Sequence, residues 1–253
     1  ITEKTRKDLE FTTVLSTIAS ICVTELGKAK AEAITPIGHK DQLMAALHQT
    51  SEYLASFSNN NAIPNHGFEA ITSDLKLLLI EDSFLEISSF QKFASLSATV
   101  NTQILFFRKF KDYYPTLFEL SAQLEYTKSI IQKVEEVIDK YGVIKDNASP
   151  DLALIRHHIN RVRGKVNQSF GQALVHYSSQ GYLDDIKESV IENRRVLAVL
   201  AMYRKKVKGS ILGNSKTGSI AFIEPEATLQ YSRELNNYEY EEREEIIRIL
   251  KRL

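Results

Sequence analysis

Apolar residues recur at intervals of three and four along the first 140 residues, a spacing typical of amphipathic helices. The pattern is clear at Val14, Leu15, Ile18 and Ile21, and again at Leu43, Leu47, Leu54 and Phe57. Helices are predicted from a cap at Thr24 to a point before Pro36, then over residues 41–58, 87–111 and 128–140. The connection at residues 59–67 is predicted to be an exposed loop.

A different pattern begins at Ser149-Pro150, where a capping residue precedes a proline at the first helical position. Apolar residues then follow at steps of three and four: Leu152, Ile155, Ile159, Val162, Val166 and Phe170. This narrow seam favours pairing with one other helix. The helix is predicted to reach about residue 177, roughly 40 Å long, and to pack antiparallel against residues 225–253. The partner's predicted apolar face consists of Leu229, Leu235, Tyr238, Ile246, Ile249 and Leu253.

The period changes between the two long helices. Short β-type runs occur at residues 196–199 and 219–223, and Gly209, Gly213 and Gly218 separate the segments around them. Asp184-Asp185 is predicted to be a solvated turn, or a cap for a short helix over residues 186–189. The predicted fold is therefore mainly α, with a helical core over residues 1–148. Residues 149–253 are predicted to form two long antiparallel helices that carry a small antiparallel β-sheet, its strands within about 186–224.

Charge is separated along the second half of the chain although the net charge is zero. No acidic residue occurs from Asn193 to Ile223, a stretch with seven cations: Arg194, Arg195, Arg204, Lys205, Lys206, Lys208 and Lys216. Seven glutamates follow Glu224: Glu226, Glu234, Glu239, Glu241, Glu242, Glu244 and Glu245. Clustered cations indicate a surface for a polyanion, whereas opposite signs on two helices are equally consistent with mutual attraction of solvated helices.

Catalytic and metal-binding patterns give weaker signals than charge. His157 and His158 are adjacent, so on a helix they point about 100° apart and cannot share a metal ion as an i, i+4 pair would. Ser215 lies in a glycine-bounded turn without a nucleophile-elbow pattern, which favours a turn role over catalysis. The aromatic cluster at residues 106–114 is predicted to be core rather than a platform for bases. We expect no enzyme activity, cofactor or metal in this chain.

Other features of the composition concern the environment of the protein. The single Cys22 cannot form an internal disulfide and is predicted to be a buried thiol in a reducing compartment. Apolar runs fall short of the ~20 residues of a membrane span, and the charged first residues do not resemble a signal peptide. A cytoplasmic protein without membrane contact is expected.

Several segments, in this order, carry a family resemblance: residues 9–11, 24–28, 146–152, 203–207, Gly209, 215–219, 222–226 and 234–237. The most specific are Ser215-Lys216-Thr217-Gly218-Ser219 and Phe222-Ile223-Glu224-Pro225-Glu226. Together they resemble the MutS family, and specifically its second branch, over almost the whole chain. Two departures occur: Glu192-Asn193-Arg194-Arg195 replaces an Arg-x-Gly-Arg turn, and Gly213-Asn214 replaces a histidine-aspartate pair.

The resemblance implies that the helical core and long helices form the lever, and the sheet the clamp, of a DNA-repair or recombination-control ATPase. A Gly-x-x-x-x-Gly-Lys-Ser/Thr phosphate loop does not occur in this sequence, so we expect ATP and Mg²⁺ to bind only in an ATPase domain outside this chain. The partners that the resemblance implies are DNA recognised by structure rather than sequence, the ribosome or RNA, and a second copy of the chain.

Two functional hypotheses follow from charge and resemblance together. In the first, the seven cations between Arg194 and Lys216 contact phosphates of DNA with little reading of bases. In the second, the chain is a structural interaction module whose helix pair dimerises and whose basic tip contacts a ribosome or an acidic protein.

Overall fold

The structure is a computed structural model that describes residues 3–58 and 61–253. The described chain forms two compact units. One, called here the helical unit, contains the described residues up to Lys145 together with Leu250–Leu253. The other, the sheet unit, contains Asp146–Ile249 and carries the seven cations of the predicted interface. The predicted fold class, mainly α with a small antiparallel sheet, is confirmed.

The helical unit follows the predicted period. Its helices are α1 (Glu3–Asp8), α2 (Phe11–Ser20), α3 (Glu25–Glu32), α4 (Lys40–Ser58), α5 (Thr72–Leu77), α6 (Ile87–Lys109), α7 (Pro115–Ser121) and α8 (Ser129–Val137). The cap at Thr24 is confirmed, because its hydroxyl oxygen accepts the Gly27 N–H at 3.0 Å. Asn59 and Asn60 of the predicted loop lie outside the described residues.

The aromatic cluster of the helical unit packs in the core as predicted, except for Tyr113. Tyr114 is 1% exposed, and its ring stacks on Phe106 with 6.0 Å between centroids. Its hydroxyl donates to the Asn61 carbonyl oxygen at 3.2 Å. Phe107 is also buried, whereas Tyr113 is exposed. Inward-facing rings at helical spacing therefore stabilise this unit by burial and edge or stacked contacts.

Cys22 differs from its prediction. The thiol is only partly buried, because it lies in the turn between α2 and α3, where Ile21 and Val23 are also exposed. Within residues 3–58 and 61–253, no helix combines the length and apolar content needed to cross a membrane.

Two long helices, α9 (Pro150–Ser179) and α10 (Glu226–Arg252), dominate the sheet unit. They pack antiparallel, because the start of α9 contacts the last third of α10, and a later part of α9 contacts the start of α10. The Ser149 hydroxyl donates to Glu245 Oε1 at 2.7 Å, and the Ser169 hydroxyl donates to the Thr228 hydroxyl at 3.2 Å. The predicted pairing of these helices is confirmed, with Leu152, Ile159 and Val162 buried along the α9 seam as predicted.

Opposite charges join the two helices. Arg156 Nε lies 2.7 Å from Glu242 Oε1, and its guanidinium also lies 2.5 Å from Asp146 Oδ1. Burial disfavours the charged form of Arg156, but hydrogen bonds and charge from the two carboxylates outweigh it and raise its pKa. Arg163 lies 3.5 Å from Glu239. These cations of α9 are thus neutralised within the unit.

The face that α10 turns inward is more polar than predicted. Thr228, Ser232 and Glu245 are buried together with Ile249, whereas the predicted Leu229 and Leu235 are half-buried. The prediction of the apolar face was partly wrong. Polar side chains can be buried between the two helices because they form hydrogen bonds with residues of the other helix. Glu245 contacts both Ser149 and Arg248.

Ser149→Ala is expected to destabilise the sheet unit by about 1–3 kcal/mol, because two hydrogen bonds are lost at once. The Ser149 hydroxyl oxygen accepts a hydrogen bond from the Leu152 N–H at 3.0 Å. The same hydroxyl donates a hydrogen bond to Glu245, which is 2% exposed. Chemical denaturation followed by circular dichroism measures the loss. Ser149→Thr keeps the hydroxyl and should recover most of it. Equal stability of Ser149→Ala and the original chain would contradict the prediction.

The sheet has four strands in the order β1-β2-β4-β3, all pairs antiparallel. They are β1 (Leu183–Ile191), β2 (Arg194–Leu200), β3 (Gly209–Asn214) and β4 (Ile220–Pro225). The sequence pattern predicts β2 and β4, the two central strands. It misses β1 and β3, the two edge strands, because β1 is rich in charged residues and β3 contains two glycines.

The prediction for Asp184-Asp185 was wrong: both residues lie in β1, and no helix forms over residues 186–189. β1 pairs with β2 from Leu183 opposite Val199 to Ile191 opposite Arg194, and Asp184 and Asp185 lie in the irregular stretch between Leu183 and Glu188. Glu192 and Asn193, with φ of 48° and 61°, form the tight turn between β1 and β2.

One face of the sheet packs against the end of α9. Phe170 is 0% exposed and contacts a buried cluster formed by Leu197, Val199, Val207, Ala221 and Ile223. Tyr177, Tyr182 and Tyr203 pack around its edge. This core holds the sheet at one end of the helix pair.

Candidate functional site

The structure divides the seven predicted cations into two groups, which are the two arginines of β2 and the five cations of the following loop and turn. Arg194 and Arg195 begin β2. Arg204, Lys205, Lys206 and Lys208 lie on the segment that joins β2 to β3, residues 201–208, called here the basic loop. Lys216 lies on the turn between β3 and β4. The two groups have different surroundings.

Arg194 forms an internal ion pair. Its guanidinium lies 3.2 Å from Glu224 Oε2, and the Glu224 side chain is 0% exposed. The pair links the start of β2 to the end of β4, close to the first turn of α10. Arg194 therefore serves the packing of the sheet, and its charge is already matched.

Arg195 is also engaged inside the unit. Its guanidinium donates to Glu188 Oε2 at 2.6 Å and to Asn167 Oδ1 at 3.1 Å. It also lies over the Phe170 ring, 4.3 Å from the centroid. The acidic partners of both arginines lie outside the acid-free stretch, so counting charges along the chain could not identify these pairs.

The basic loop is held at both ends and exposes its cations. Its first residue, Ala201, donates its N–H to the Ser219 carbonyl oxygen at 2.8 Å. Lys206 N–H donates to the Tyr203 carbonyl oxygen at 2.8 Å, and Val207 is buried in the sheet core. The side chains of Arg204, Lys205 and Lys206, between these anchors, and of Lys208, directly after Val207, are exposed.

Two stacked tyrosine rings, Tyr182 and Tyr203, contact the Lys206 side chain of the basic loop. The Tyr203 ring lies 4.7 Å from the Tyr182 ring at 26°, and the Lys206 ammonium lies 5.5 Å and 5.4 Å from their centroids. Gly209 follows the loop as the first residue of β3, where a Cβ would meet the Glu224 carbonyl oxygen at 2.0 Å. The backbone of the loop is therefore fixed while its cationic side chains reach solvent.

Lys216 lies at the tip of the β3–β4 hairpin, next to the basic loop through the Ala201–Ser219 hydrogen bond. The Ser215 hydroxyl oxygen accepts the Ile220 N–H at 3.1 Å, and Gly218 has φ of +70°. These features close a tight turn and confirm the turn role predicted for Ser215. The Lys216 side chain is exposed.

Five cations are thus exposed: Arg204, Lys205, Lys206, Lys208 and Lys216. Lys216 lies at the hairpin end of the β3–β4 pair, whereas Lys208 lies at the other end, where its carbonyl oxygen accepts the Glu226 N–H at 3.0 Å. None of the five makes a salt bridge with another residue of ranges 3–58 and 61–253. The acidic residues Asp184 and Asp185 lie on β1, at the opposite end of the strand order from β3. These cations can therefore attract an anion without first breaking a salt bridge, although Lys206 also contacts the Tyr182 and Tyr203 rings.

Histidines in the sheet unit make structural contacts. His158 Nδ1 lies 2.9 Å from the Tyr238 hydroxyl, across the helix pair. In the part of the chain that the structure describes, no group of three His, Cys, Asp or Glu residues is arranged to hold a metal ion.

Comparison with known proteins gives a consistent family signal. A curated protein named endonuclease MutS2 from Symbiobacterium thermophilum is 27% identical over 251 residues, 99% of this chain and 31% of that protein. Proteins of the same name from Alkaliphilus oremlandii and Staphylococcus carnosus are each 26% identical over 98% of this chain and 32% of their own length. This similarity supports a MutS-like family for the chain. No family model matches it.

The MutS-like similarity covers the helical unit and the sheet unit alike, including the basic loop, because it extends over 98–99% of the chain. The chain spans about a third of the length of these curated relatives.

Proposed function

We propose that this chain is the lever and clamp region of a MutS-like protein of the second branch, and that its sheet unit contacts DNA. The observation that carries the proposal is the group of five exposed cations on the basic loop and Lys216, free of internal salt bridges among the described residues. The relatives' name, endonuclease MutS2, supports nucleic acid as the partner.

The geometry favours contact with phosphates over reading of bases. Lysine ammonium groups on long, mobile stems neutralise phosphate charge and release counterions, but they make no fixed bidentate pattern against a base edge. Four of the five cations follow one another within residues 204–208, so they present a compact charge rather than a groove-filling helix. Binding is expected to depend on salt and on DNA structure more than on sequence.

Arg194 and Arg195 have a supporting role in this proposal. Their pairs with Glu224 and Glu188 hold β2 in place, which in turn holds the start of the basic loop. The chain itself supplies binding, and ATP hydrolysis with Mg²⁺ is assigned to a separate region of a longer, cytoplasmic DNA-repair or recombination-control protein.

Replacing Lys205, Lys206 and Lys208 together with alanine is expected to weaken DNA binding roughly 10- to 100-fold at physiological salt. The slope of log affinity against log salt should also flatten by roughly 2 to 3, since about 0.9 is lost per phosphate contact. Fluorescence anisotropy with duplexes of several sequences, over a series of salt concentrations, measures both quantities. All sequences should weaken alike.

The matched control removes three exposed lysines of the helical unit, Lys30, Lys76 and Lys111, by the same substitution. It lowers net charge equally and should change the salt slope by far less. The proposal fails if the basic-loop variant binds with unchanged affinity and slope, or if the control variant weakens binding as much.

The alternative role as an interaction module predicts a different result for the same protein samples. If the helix pair dimerises or the basic tip contacts a ribosome or an acidic protein, the chain should self-associate in sedimentation or bind those partners without measurable affinity for DNA. Such a result would favour the alternative over the clamp.

A further inference from the structure

The two edge strands of the sheet differ in charge. β1 and β3 are the outer strands, and each has one neighbouring strand in the sheet. β1 carries Asp184, Asp185, Lys187 and Glu188, whereas β3 contains no charged residue and no proline. Charged residues and prolines on an edge strand discourage another strand from pairing with it. The β3 edge lacks both of these protections.

Part of the β3 backbone points away from β4. In an antiparallel ladder, alternate residues direct their N–H and C=O groups away from the neighbouring strand. The Glu226 N–H donates to the Lys208 carbonyl oxygen at 3.0 Å, and this bond flanks the pair of Gly209 with Pro225. The backbone groups of Gly209 and, two residues later, of Ile211 therefore point outward. On that side they make no backbone hydrogen bond with residues 3–58 or 61–253.

The hydrophobic core of the sheet unit is open at the β3 edge. Ile211 pairs with Ile223, and the side chains of residues paired across a ladder lie on the same face of the sheet. Ile223 is 1% exposed in the cluster around Phe170, whereas Ile211 on the outer strand is 51% exposed. The register with β4 shifts after this pair, between Ile211 and Gly213. An added strand with an apolar residue beside Ile211 would cover that side chain and extend the core.

Exposed cations lie at both ends of β3. Lys208 directly precedes the strand, and Lys216 lies in the turn that follows it. Neither forms a salt bridge within the part of the chain that the structure describes. Carboxylates at the two ends of an added strand would complement these ammonium groups. A second copy of β3 fits less well, because antiparallel pairing would place the cations of one copy beside those of the other.

We propose that the β3 edge binds an extended, acidic segment of a partner protein, which adds to the sheet as a fifth strand. The segment would alternate acidic and apolar residues, with an apolar side chain beside Ile211 and carboxylates near Lys208 and Lys216. Main-chain hydrogen bonds to the outward groups of β3 would supply affinity. This inference goes beyond the proposed function, because a DNA backbone has no ladder of N–H and C=O groups to offer a strand edge.

The probe is a fluorescently labelled peptide of about eight residues that alternates glutamate and valine, a length typical of one strand. Two control peptides keep the same side chains. One gathers the glutamates in one half and the valines in the other, and one carries a methyl group on every backbone nitrogen, so it cannot donate main-chain hydrogen bonds. Fluorescence anisotropy with the complete 253-residue chain measures affinity, and hydrogen exchange by NMR follows the Ile211 amide.

The alternating peptide is expected to bind and to slow exchange of the Ile211 amide at least about 5-fold, because that N–H gains an acceptor. Both control peptides should bind roughly 10-fold more weakly or worse. Ile211→Ala should weaken binding of the alternating peptide by roughly 5- to 10-fold, because its apolar contact is lost. Val190→Ala is the matched control on the β1 edge, where Val190 is 64% exposed, and should leave the affinity unchanged.

Three outcomes would overturn strand addition at β3. The first is no binding of the alternating peptide. The second is equal affinity for all three peptides without slower exchange at Ile211, which would reduce the contact to attraction between charges. The third is self-association of the chain in sedimentation that Ile211→Ala abolishes, which would assign the edge to a second copy. Affinity for duplex DNA, measured apart from these peptides, decides the proposed function independently.

Discussion

Phe170→Ala is expected to destabilise the sheet unit by about 3–5 kcal/mol, the usual cost of removing a fully buried aromatic ring. Phe170 is 0% exposed and packs against Leu197, Val199 and Ile223 at the point where α9 meets the sheet. The substitution also removes the ring beneath the Arg195 guanidinium, 4.3 Å away. The cavity is expected to persist, because a sheet backed by its own hydrogen bonds cannot collapse into the space.

Hydrogen exchange of the β2 and β4 amides measures this loss, because these central strands report on the sheet unit rather than the helical unit. Val175→Ala is the matched control on the same helix, since Val175 is 71% exposed and its removal should change stability by no more than about 0.5 kcal/mol. Unchanged exchange protection in Phe170→Ala would mean that the α9–sheet core carries little of the stability.

Arg194→Met is expected to cost about 3 kcal/mol, because it leaves the Glu224 carboxylate buried without its cation. Glu224 is 0% exposed, and the ion-pair distance is 3.2 Å. Its second oxygen, Oε1, has no hydrogen-bond partner in the part of the chain that the structure describes. Arg194 is one-third exposed, so water partly screens the pair and places the cost at the lower end of the range.

The double variant Arg194→Met with Glu224→Leu separates pairing from packing. Removing both charges is expected to restore most of the lost stability, because two apolar side chains replace a desolvated pair. A double-mutant cycle by chemical denaturation gives the coupling energy. The prediction is contradicted if the double variant is as unstable as the sum of the two single substitutions. DNA affinity of the folded double variant tests, separately, whether Arg194 contacts phosphate directly.

The spacing of apolar residues predicts the helices because it shows which side chains a helix would bury on one face. Leu152, Ile159 and Val162 recur at helical spacing on α9 and are all buried, and Ser149 caps the helix that it was predicted to begin. A seam of this width needs a partner, and the structure places α10 against it. Charge patterning also located the exposed cations, because Arg204 to Lys208 form one continuous segment on the basic loop.

Edge strands and ion pairs depend on contacts that lie far apart in the chain. The charged segment at Asp184 and Asp185 is extended within a strand whose flanking residues pair with β2, and strand preference depends strongly on such neighbours. Likewise, Glu224 and Glu188 reach Arg194 and Arg195 only when β4 and β1 flank β2. Pattern along the chain contains no measure of these distances.

The sequence by itself therefore determined the helices, the antiparallel helix pair and the segment that carries the exposed cations. Each depends on residues within a few turns or on a periodicity that must be buried. Tertiary structure alone decided that Arg194 and Arg195, of the seven cations, form ion pairs within the sheet unit. Whether a cation is available to a partner depends on its surroundings in space. An acidic side chain across the sheet neutralises the cation, whereas one that is near in the sequence need not.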